Sequence, residues 1–140
     1  MTYIFEDGEE NYPGTLPLRV VYSVTDQNEL AIDYSAVAVD KTTIFNFTSH
    51  AFFNLSGRGE TPIGDHVLMI NADKFLVIDE TAIPTGELRD VAGTPLDFRV
   101  LTPIGARIDQ EYDQLKRAKG YDHAYVLNRS NEAGLQLAAR

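Results

Sequence analysis

Side chains that could transfer protons and bind hydroxyl groups stand inside one aromatic stretch, FNFTSHAFFNLSG, Phe45–Gly57. In an extended strand, side chains alternate between two faces, so Asn46, Thr48 and His50 would share one face at intervals of about 7 Å. An amide, a hydroxyl and an imidazole in a row could exchange hydrogen bonds with a hydroxyl-rich ligand, and imidazole titrates near neutral pH. The alternative is a strand whose polar face only meets water.

The opposite face of the same predicted strand is aromatic. Phe45 and Phe47 fall on it and fit the core of a β-sandwich. The adjacent pair Phe52 and Phe53 is also predicted to be core, because neighbouring aromatic residues are more often buried than part of a ligand platform.

Strand signals dominate the rest of the chain. RVVYSVT (Arg19–Thr25) and ELAIDYSAVAVD (Glu29–Asp40) flank the turn-like TDQN and predict a hairpin. Frequent Gly and Pro turns between short apolar runs predict a mostly antiparallel β-sandwich. The one helix-like segment is DQEYDQLKRAKG, with Gly120 as its stop, which predicts a helix near Asp109–Lys119. Further strands are predicted in TTIFNFTSHAFFNLS, DHVLMINA, KFLVIDE, Leu96–Arg99, YDHAYVLN and LQLAA, and a turn in Ile83–Gly86.

Composition narrows the class of protein. The 140 residues are enough for one domain, and the net charge of −9 without any basic block disfavours nucleic acid and anionic membranes as partners. The chain has no cysteine, so disulfides, thiolate metal sites and a cysteine nucleophile are excluded within it. No signal peptide and no membrane-spanning run is present, which predicts a cytoplasmic soluble protein. The loop-like GEENYPG near the start and the alternating LQLAAR at the end predict a domain incomplete at both ends.

Several motifs together resemble one family. FNFTSHAFFNLSG looks like the N-L-T-N-H-x-Y-F-N-L-x-G signature of the aldose 1-epimerases, the galactose mutarotases. The segment Ile63–Arg99 resembles the family's D-H-x-L-x-I-x-A-D … I-P-T-G-E … G-T-P-F-D-F-R in content and spacing. GYDHAYVL resembles its G-F-D-H-N-F-V-L, and DGEENYPG resembles its DGEEGYPG. The resemblance implies a galactose mutarotase type of β-sandwich, with residues 1–140 as the central part of a single domain.

The resemblance also implies roles for individual residues. The family's general acid falls on His50, and the aspartate that binds sugar hydroxyls falls on Asp122. Asn46 and Thr48 are expected to contact the same small aldose, such as glucose or galactose. The implied reaction opens the sugar ring and recloses it as the other anomer, and it requires no cofactor and no metal. His66 also matches a family motif, and a packing or supporting role is expected there.

Some features depart from the family pattern. Ser49, Phe52 and Ala124 replace asparagine, tyrosine and asparagine of the motifs, which changes local hydrogen bonding. The family's glutamate base, its arginine and a second substrate-binding histidine fall in segments that this chain does not contain. Glu132 stands in the polar turn SNEAG and is not assigned as the base. The isolated chain is therefore expected to be inactive or weakly active.

Two other classes of function remain open from the sequence. One is a non-catalytic carbohydrate-binding β-domain, which would keep the sugar-facing residues without a base. The other is a metal-dependent hydrolase that uses His50, His66 and His123, although these histidines lack the close spacing of common metal sites. A serine triad is disfavoured because no G-x-S-x-G motif occurs. Neither the oligomeric state nor the preferred aldose follows from the sequence.

Overall fold

A computed structural model describes residues 1–130 and 134–140 of the chain. The chain forms two compact units, Met1–Phe52 and Phe53–Arg140, each with its own sheets. Both units are built mainly from antiparallel strands, so the predicted mostly antiparallel β class is confirmed. None of the helices in the described part of the chain is long and apolar enough to cross a membrane.

The first unit contains one three-stranded antiparallel sheet in the order β1-β2-β3. Its strands are β1 (Thr2–Phe5), β2 (Leu16–Val24) and β3 (Leu30–Ala36), and a 3₁₀ turn at Glu9–Asn11 precedes β2. β2 is the central strand because it pairs with both neighbours. The short β1 carries too few alternating residues to be recognised in the sequence, and it was not predicted.

The hairpin predicted around TDQN is confirmed as the β2–β3 pair. The turn closes where the Thr25 N–H donates to the Glu29 carbonyl at 2.9 Å. The Thr25 hydroxyl oxygen also accepts the N–H groups of Gln27 and Glu29, at 3.2 and 3.3 Å. Asn28 has the positive φ of 60° that asparagine tolerates better than most residues. The turn residues therefore set the register of the two strands.

The strand predicted in residues 42–56 is wrong, because the segment has irregular backbone. Within the described ranges no strand pairs with it, so it lacks the ladder of hydrogen bonds that defines a strand. The predicted burial of Phe52 and Phe53 is also wrong, since their side chains are 91% and 72% exposed. Aromatic alternation in a sequence indicates a strand only where a neighbouring strand supplies partners for the backbone.

The second unit contains a two-stranded and a three-stranded antiparallel sheet. The pair is β4-β7, and the larger sheet has the order β6-β5-β8. A 3₁₀ turn follows β7, and a single α-helix lies between that turn and β8. The bounds are β4 Val67–Leu68, β5 Ala72–Ile78, β6 Pro84–Asp90, β7 Thr102–Pro103, the 3₁₀ turn Ile104–Ala106, α1 Asp113–Ala118 and β8 Tyr125–Leu127.

The core of the second unit forms around the central strand β5. Phe75 and Val77 of β5 pack with the buried side chains of Val91, Leu96 and Leu115. Burying one such side chain completely contributes about 1.5–3 kcal/mol. Three half-buried phenols cover the edge of this cluster: Tyr112, Tyr121 and Tyr125.

Helix α1 is shorter than predicted and docks on the end of β5. It covers Asp113–Ala118 and ends at Lys119, which has the left-handed φ of 57°. The N–H of Gly120 then donates to the Leu115 carbonyl at 3.0 Å, so the predicted stop at Gly120 is confirmed. The side chain of Gln114, which is 0% exposed, binds both backbone groups of Ile78: its Oε1 accepts the N–H at 2.8 Å and its Nε2 donates to the carbonyl at 3.2 Å.

Three other predicted elements differ in the structure. The predicted strand Leu96–Arg99 is a turn segment, because the Thr94 hydroxyl donates to the Val91 carbonyl and accepts the Leu96 N–H. LQLAA forms no strand and contributes one isolated bridge, between Ile70 and Ala139. Pro84, predicted in a turn, begins β6 instead.

We expect Gly14→Ala to destabilise the protein more than Gly8→Ala. Both glycines have positive φ, 86° and 91°, a conformation that costs other residues about 1–2 kcal/mol. A Cβ at Gly14 would also lie 2.9 Å from the Lys41 carbonyl oxygen, whereas a Cβ at Gly8 would meet nothing within 4 Å. Overpacking of this kind adds about 1–3 kcal/mol. Urea unfolding of both variants measures the difference, and equal losses of stability would contradict the steric account.

Candidate functional site

The candidate acid His50 lies in the irregular segment of the first unit. Its side chain is exposed, and its ring packs at a tilt against Phe52 with centroids 5.0 Å apart. Neither ring nitrogen is hydrogen-bonded to another residue in the described part of the chain. The imidazole is therefore accessible from solvent.

Asn46 lines a cavity of about 290 Å³ in the first unit. Three phenylalanine rings form one wall: Phe47 stacks on Phe5 at 5.6 Å and on Phe45 at 5.4 Å. Residues with hydrogen-bonding side chains also line the cavity, among them Glu6, Glu9, Glu10 and Tyr12. The cavity combines an apolar wall with hydrogen-bonding groups, as small-molecule sites do. Thr48 and His50 are exposed but do not line this cavity.

The candidate sugar-binding residue Asp122 lies in the second unit, between α1 and β8. Its side chain is exposed, and its carboxylate oxygens accept no hydrogen bond from any described residue. Its backbone N–H makes a long bond of 3.3 Å to Nδ1 of His123. The carboxylate is thus available to accept hydrogen bonds from ligand hydroxyls.

Two tyrosines near Asp122, Tyr121 and Tyr125, make hydrogen bonds that were not predicted from the sequence. The Tyr121 hydroxyl donates to the Pro95 carbonyl at 3.2 Å, and the Tyr125 hydroxyl donates to the Leu96 carbonyl at 3.0 Å. Burial raises the pKa of both phenols, so each remains a protonated donor near neutral pH. In the sequence these tyrosines stand out only by their spacing of four residues in YDHAY. That spacing does not identify their acceptors, which lie more than 25 residues upstream.

His123 is half-buried beside the core. Its ring meets Phe75 edge-on at 5.6 Å, and its Nε2 is buried with no hydrogen-bond partner among residues 1–130 and 134–140. Burial lowers the pKa of His123, and the nearby negative charge of Asp122 opposes that shift. The side chain is consequently a neutral, packed imidazole at neutral pH.

His66 supports the loop that follows the aromatic stretch. Its Nε2 accepts the Leu55 N–H at 2.8 Å. In the same loop the Asn54 side chain donates to the Thr61 carbonyl at 2.8 Å and accepts the Ser56 N–H at 3.1 Å. This bond gives His66 the supporting role that was predicted from the sequence.

The described residues contain no group of three or more histidine, aspartate or glutamate side chains that could hold a metal ion. Of the three histidines in the hydrolase hypothesis, His66 already uses its Nε2 within the protein. Glu132, which was not assigned as a base, lies outside the described residues.

The site residues predicted from the sequence fall in both units. Asn46, Thr48 and His50 belong to the first unit and Asp122 to the second. Because residues 42–56 form no strand, the three residues of the first unit are not aligned on one face of a sheet. A shared cleft for His50 and Asp122 stays a prediction.

Solved structures define the class of this fold. The structure is similar to that of galactose 1-epimerase from Lactobacillus acidophilus, with a TM-score of 0.86 and 37% identity over 99% of this chain and 39% of that one. An aldose epimerase homologue from C. elegans has a TM-score of 0.73 and 27% identity, covering 93% of this chain and 38% of that one. The chain thus has the antiparallel β fold of the galactose mutarotase type.

Sequence comparison then identifies the family. The family model described as aldose 1-epimerase matches residues 1–140, so the chain belongs to the aldose 1-epimerase family. Galactose mutarotase from Sus scrofa is 45% identical over 96% of this chain, and aldose 1-epimerase from Escherichia coli K12 is 40% identical over 96%. The chain spans 36% and 38% of the length of these two relatives.

We expect His66→Phe to loosen the loop that contains Leu55. The substitution removes the acceptor of the Leu55 N–H, and a bond of this kind is worth about 0.5–1.5 kcal/mol. Amide hydrogen exchange at Leu55 should accelerate about two- to tenfold. His66→Gln, whose Oε1 can accept the same proton, is the matched control and should restore part of the protection. Unchanged exchange at Leu55 in His66→Phe would show that the bond contributes nothing.

We expect His123 to make the fold sensitive to mild acid. Its pKa is lowered in the folded chain, so the unfolded chain takes up the proton first as the pH falls below about 6.5. The free energy of unfolding should decrease from that pH down to the lowered pKa and then level off. His123→Leu keeps an apolar contact with Phe75 and should lose this component of the pH dependence. Urea unfolding at a series of pH values measures it, and parallel curves for both proteins would contradict the assignment.

Proposed function

We propose that this chain is the central part of a single aldose 1-epimerase domain, and that the complete protein interconverts the α and β anomers of an aldose such as glucose or galactose. The family match over residues 1–140 is the observation that carries the proposal. The exposed imidazole of His50 and the carboxylate of Asp122, which accepts no hydrogen bond from residues 1–130 and 134–140, support it.

In the proposed reaction, His50 is the general acid. It donates a proton to the ring oxygen while a base removes the proton from the hydroxyl at C1, and the bond between C1 and the ring oxygen breaks. The open-chain aldehyde then rotates about C1–C2. On closure the former ring oxygen attacks C1 from the other face, its proton returns to His50, and the protonated base returns its proton to the oxygen on C1, so the other anomer forms and both groups are restored. Imidazole suits this exchange because it both gives and accepts a proton near neutral pH.

Asp122 is proposed to bind and orient the sugar. A carboxylate can accept hydrogen bonds from two adjacent hydroxyls, and such charge-assisted bonds are stronger than neutral ones. No hydrogen bond within the described residues competes for its oxygens. Asn46 and Thr48 are proposed as further polar contacts in the same segment as His50.

We propose that the base is a glutamate of the complete protein, as the family resemblance implies. The proposed partner is a small aldose and not a macromolecule. The net charge of −9 and the absence of a basic block in the sequence agree with this, because nucleic acid would require a basic surface. The cytoplasm is the proposed compartment. The proposal assigns no cofactor and no metal.

The test uses the chain alone and an extended protein. The extended protein carries the coding sequence that flanks the chain in its gene, or else the flanking segments of the E. coli enzyme. We expect polarimetry with α-glucose or α-galactose to show that the extended protein accelerates mutarotation, whereas the chain alone is slower by a factor of about 10²–10⁴, because one of two proton-transfer groups is missing. Full speed in the chain alone would mean that a base lies within it.

Substitutions in the extended protein test the two residues separately. His50→Ala should lower kcat by about 10²–10⁴-fold, and Asp122→Ala should mainly raise KM. Ser49→Ala, an exposed neighbour of His50 without an assigned role, is the matched control. If the extended protein binds aldoses without interconverting them, the non-catalytic carbohydrate-binding domain is the correct alternative. Unaltered turnover in His50→Ala would overturn the acid assignment.

A further inference from the structure

Three successive carbonyls of the turn at Pro95–Asp97 each accept a hydrogen bond from a side chain. Tyr121 donates to Pro95 at 3.2 Å, Tyr125 donates to Leu96 at 3.0 Å, and the Arg107 guanidinium donates to Asp97. The turn is itself fixed, because the Leu96 side chain is fully buried in the core. It therefore provides a rigid anchor for the residues that bind to it.

The segment that carries Asp122 depends on few backbone contacts. It connects α1 to β8, and residues 119–124 have no regular secondary structure. Backbone hydrogen bonds hold its two ends, from the Gly120 N–H to the Leu115 carbonyl at 3.0 Å and from the Leu76 N–H to the Ala124 carbonyl at 2.8 Å. Between these points, the Asp122 N–H makes one long local bond, to the His123 side chain, and no other hydrogen bond to the described residues.

Tyr121 restrains the segment on the N-terminal side of Asp122, and the packing of His123 against Phe75 restrains it on the other side. Tyr121 immediately precedes Asp122, its ring packs edge-on against Phe98 with centroids 5.0 Å apart, and its hydroxyl reaches the Pro95 carbonyl 26 residues upstream. The ring contact and the hydrogen bond together fix both the position and the rotation of the Tyr121 side chain. Since Cα atoms of adjacent residues are about 3.8 Å apart, a displacement of Tyr121 moves the Asp122 carboxylate with it.

Tyr125 makes a similar bond but stands in a different context. It lies at the start of β8, where the backbone already pairs with Phe75 of β5. Losing its hydroxyl would leave the Leu96 carbonyl without this donor, but the ladder would still hold the strand. Tyr125 is thus a stabilising residue and a natural control for Tyr121.

We propose that the Tyr121 hydroxyl, through its bond to the Pro95 carbonyl, is a positioning group that orients Asp122 for aldose binding. This inference rests on the proposed role of Asp122 in binding the sugar. Sugar hydroxyls are recognised by directional hydrogen bonds, so a small rotation of the carboxylate weakens binding without altering proton transfer.

The experiment compares Tyr121→Phe and Tyr125→Phe in the extended protein, because each change removes one hydroxyl and keeps the ring. We expect Tyr121→Phe to raise KM about three- to tenfold, the worth of one neutral hydrogen bond, with kcat nearly unchanged. Tyr125→Phe should lower the melting temperature at least as much while leaving KM unchanged. A KM increase of the same size in both variants would overturn the positioning role, since general loss of stability would then explain it.

A double-substitution cycle separates this inference from the function on which it rests. If Tyr121 acts through Asp122, then Tyr121→Phe should raise KM in the extended protein that keeps Asp122. In the extended protein that carries Asp122→Ala, Tyr121→Phe should cause no further rise in KM. Additive effects would overturn the inference. If KM is unaltered in Asp122→Ala, the binding role of Asp122 is wrong and the inference fails with it. If KM is raised in Asp122→Ala but normal in Tyr121→Phe, only the inference is wrong.

Discussion

The burial of β5 is the constraint on which the second unit depends. Phe75 and Val77 are enclosed by the side chains of Val91, which follows β6, of Leu96 in the next turn and of Leu115 in α1. The edge strands β6 and β8 satisfy the backbone along both sides of β5. At the end of the strand that role passes to a side chain, since Gln114 binds both the N–H and the carbonyl of Ile78. A buried backbone group without a partner costs about 1–3 kcal/mol. Gln114 avoids this cost at Ile78 by supplying the hydrogen bonds that a neighbouring strand would otherwise make.

The same requirement explains the turn at Pro95–Asp97. The apolar side chain of Leu96 enters the core, and its backbone forms a turn instead of a strand. The three carbonyls of this turn accept hydrogen bonds from the side chains of Tyr121, Tyr125 and Arg107, and the Leu96 carbonyl also accepts the Phe98 N–H at 3.0 Å. One of the three donors, Tyr121, directly precedes Asp122. Core packing and the candidate binding site are physically connected in this way.

The two candidate residues have different surroundings that suit different tasks. His50 is exposed, its ring packs against Phe52, and its nitrogens make no hydrogen bond within the described part of the chain. Asp122 is also exposed, but its neighbours are anchored to buried backbone. A proton donor needs access to the reacting oxygen, whereas a binding carboxylate needs a fixed direction. The match to the aldose 1-epimerase family model extends over the segments that carry both residues.

Local patterns in the sequence determined the antiparallel β class, the β2–β3 hairpin with its turn at Thr25–Glu29, the helix stop at Gly120 and the family motifs around His50 and Asp122. These features depend on turn chemistry, capping and residue identity, which neighbouring residues fix. Tertiary structure alone decided that residues 42–56 form no strand, that Leu96–Arg99 is a turn and that Pro84 begins a strand. It also decided which carbonyls Tyr121 and Tyr125 bind. Strand pairing and hydrogen bonds between distant residues depend on which segment folds beside a given residue. The alternation of residues within one segment does not specify that neighbouring segment.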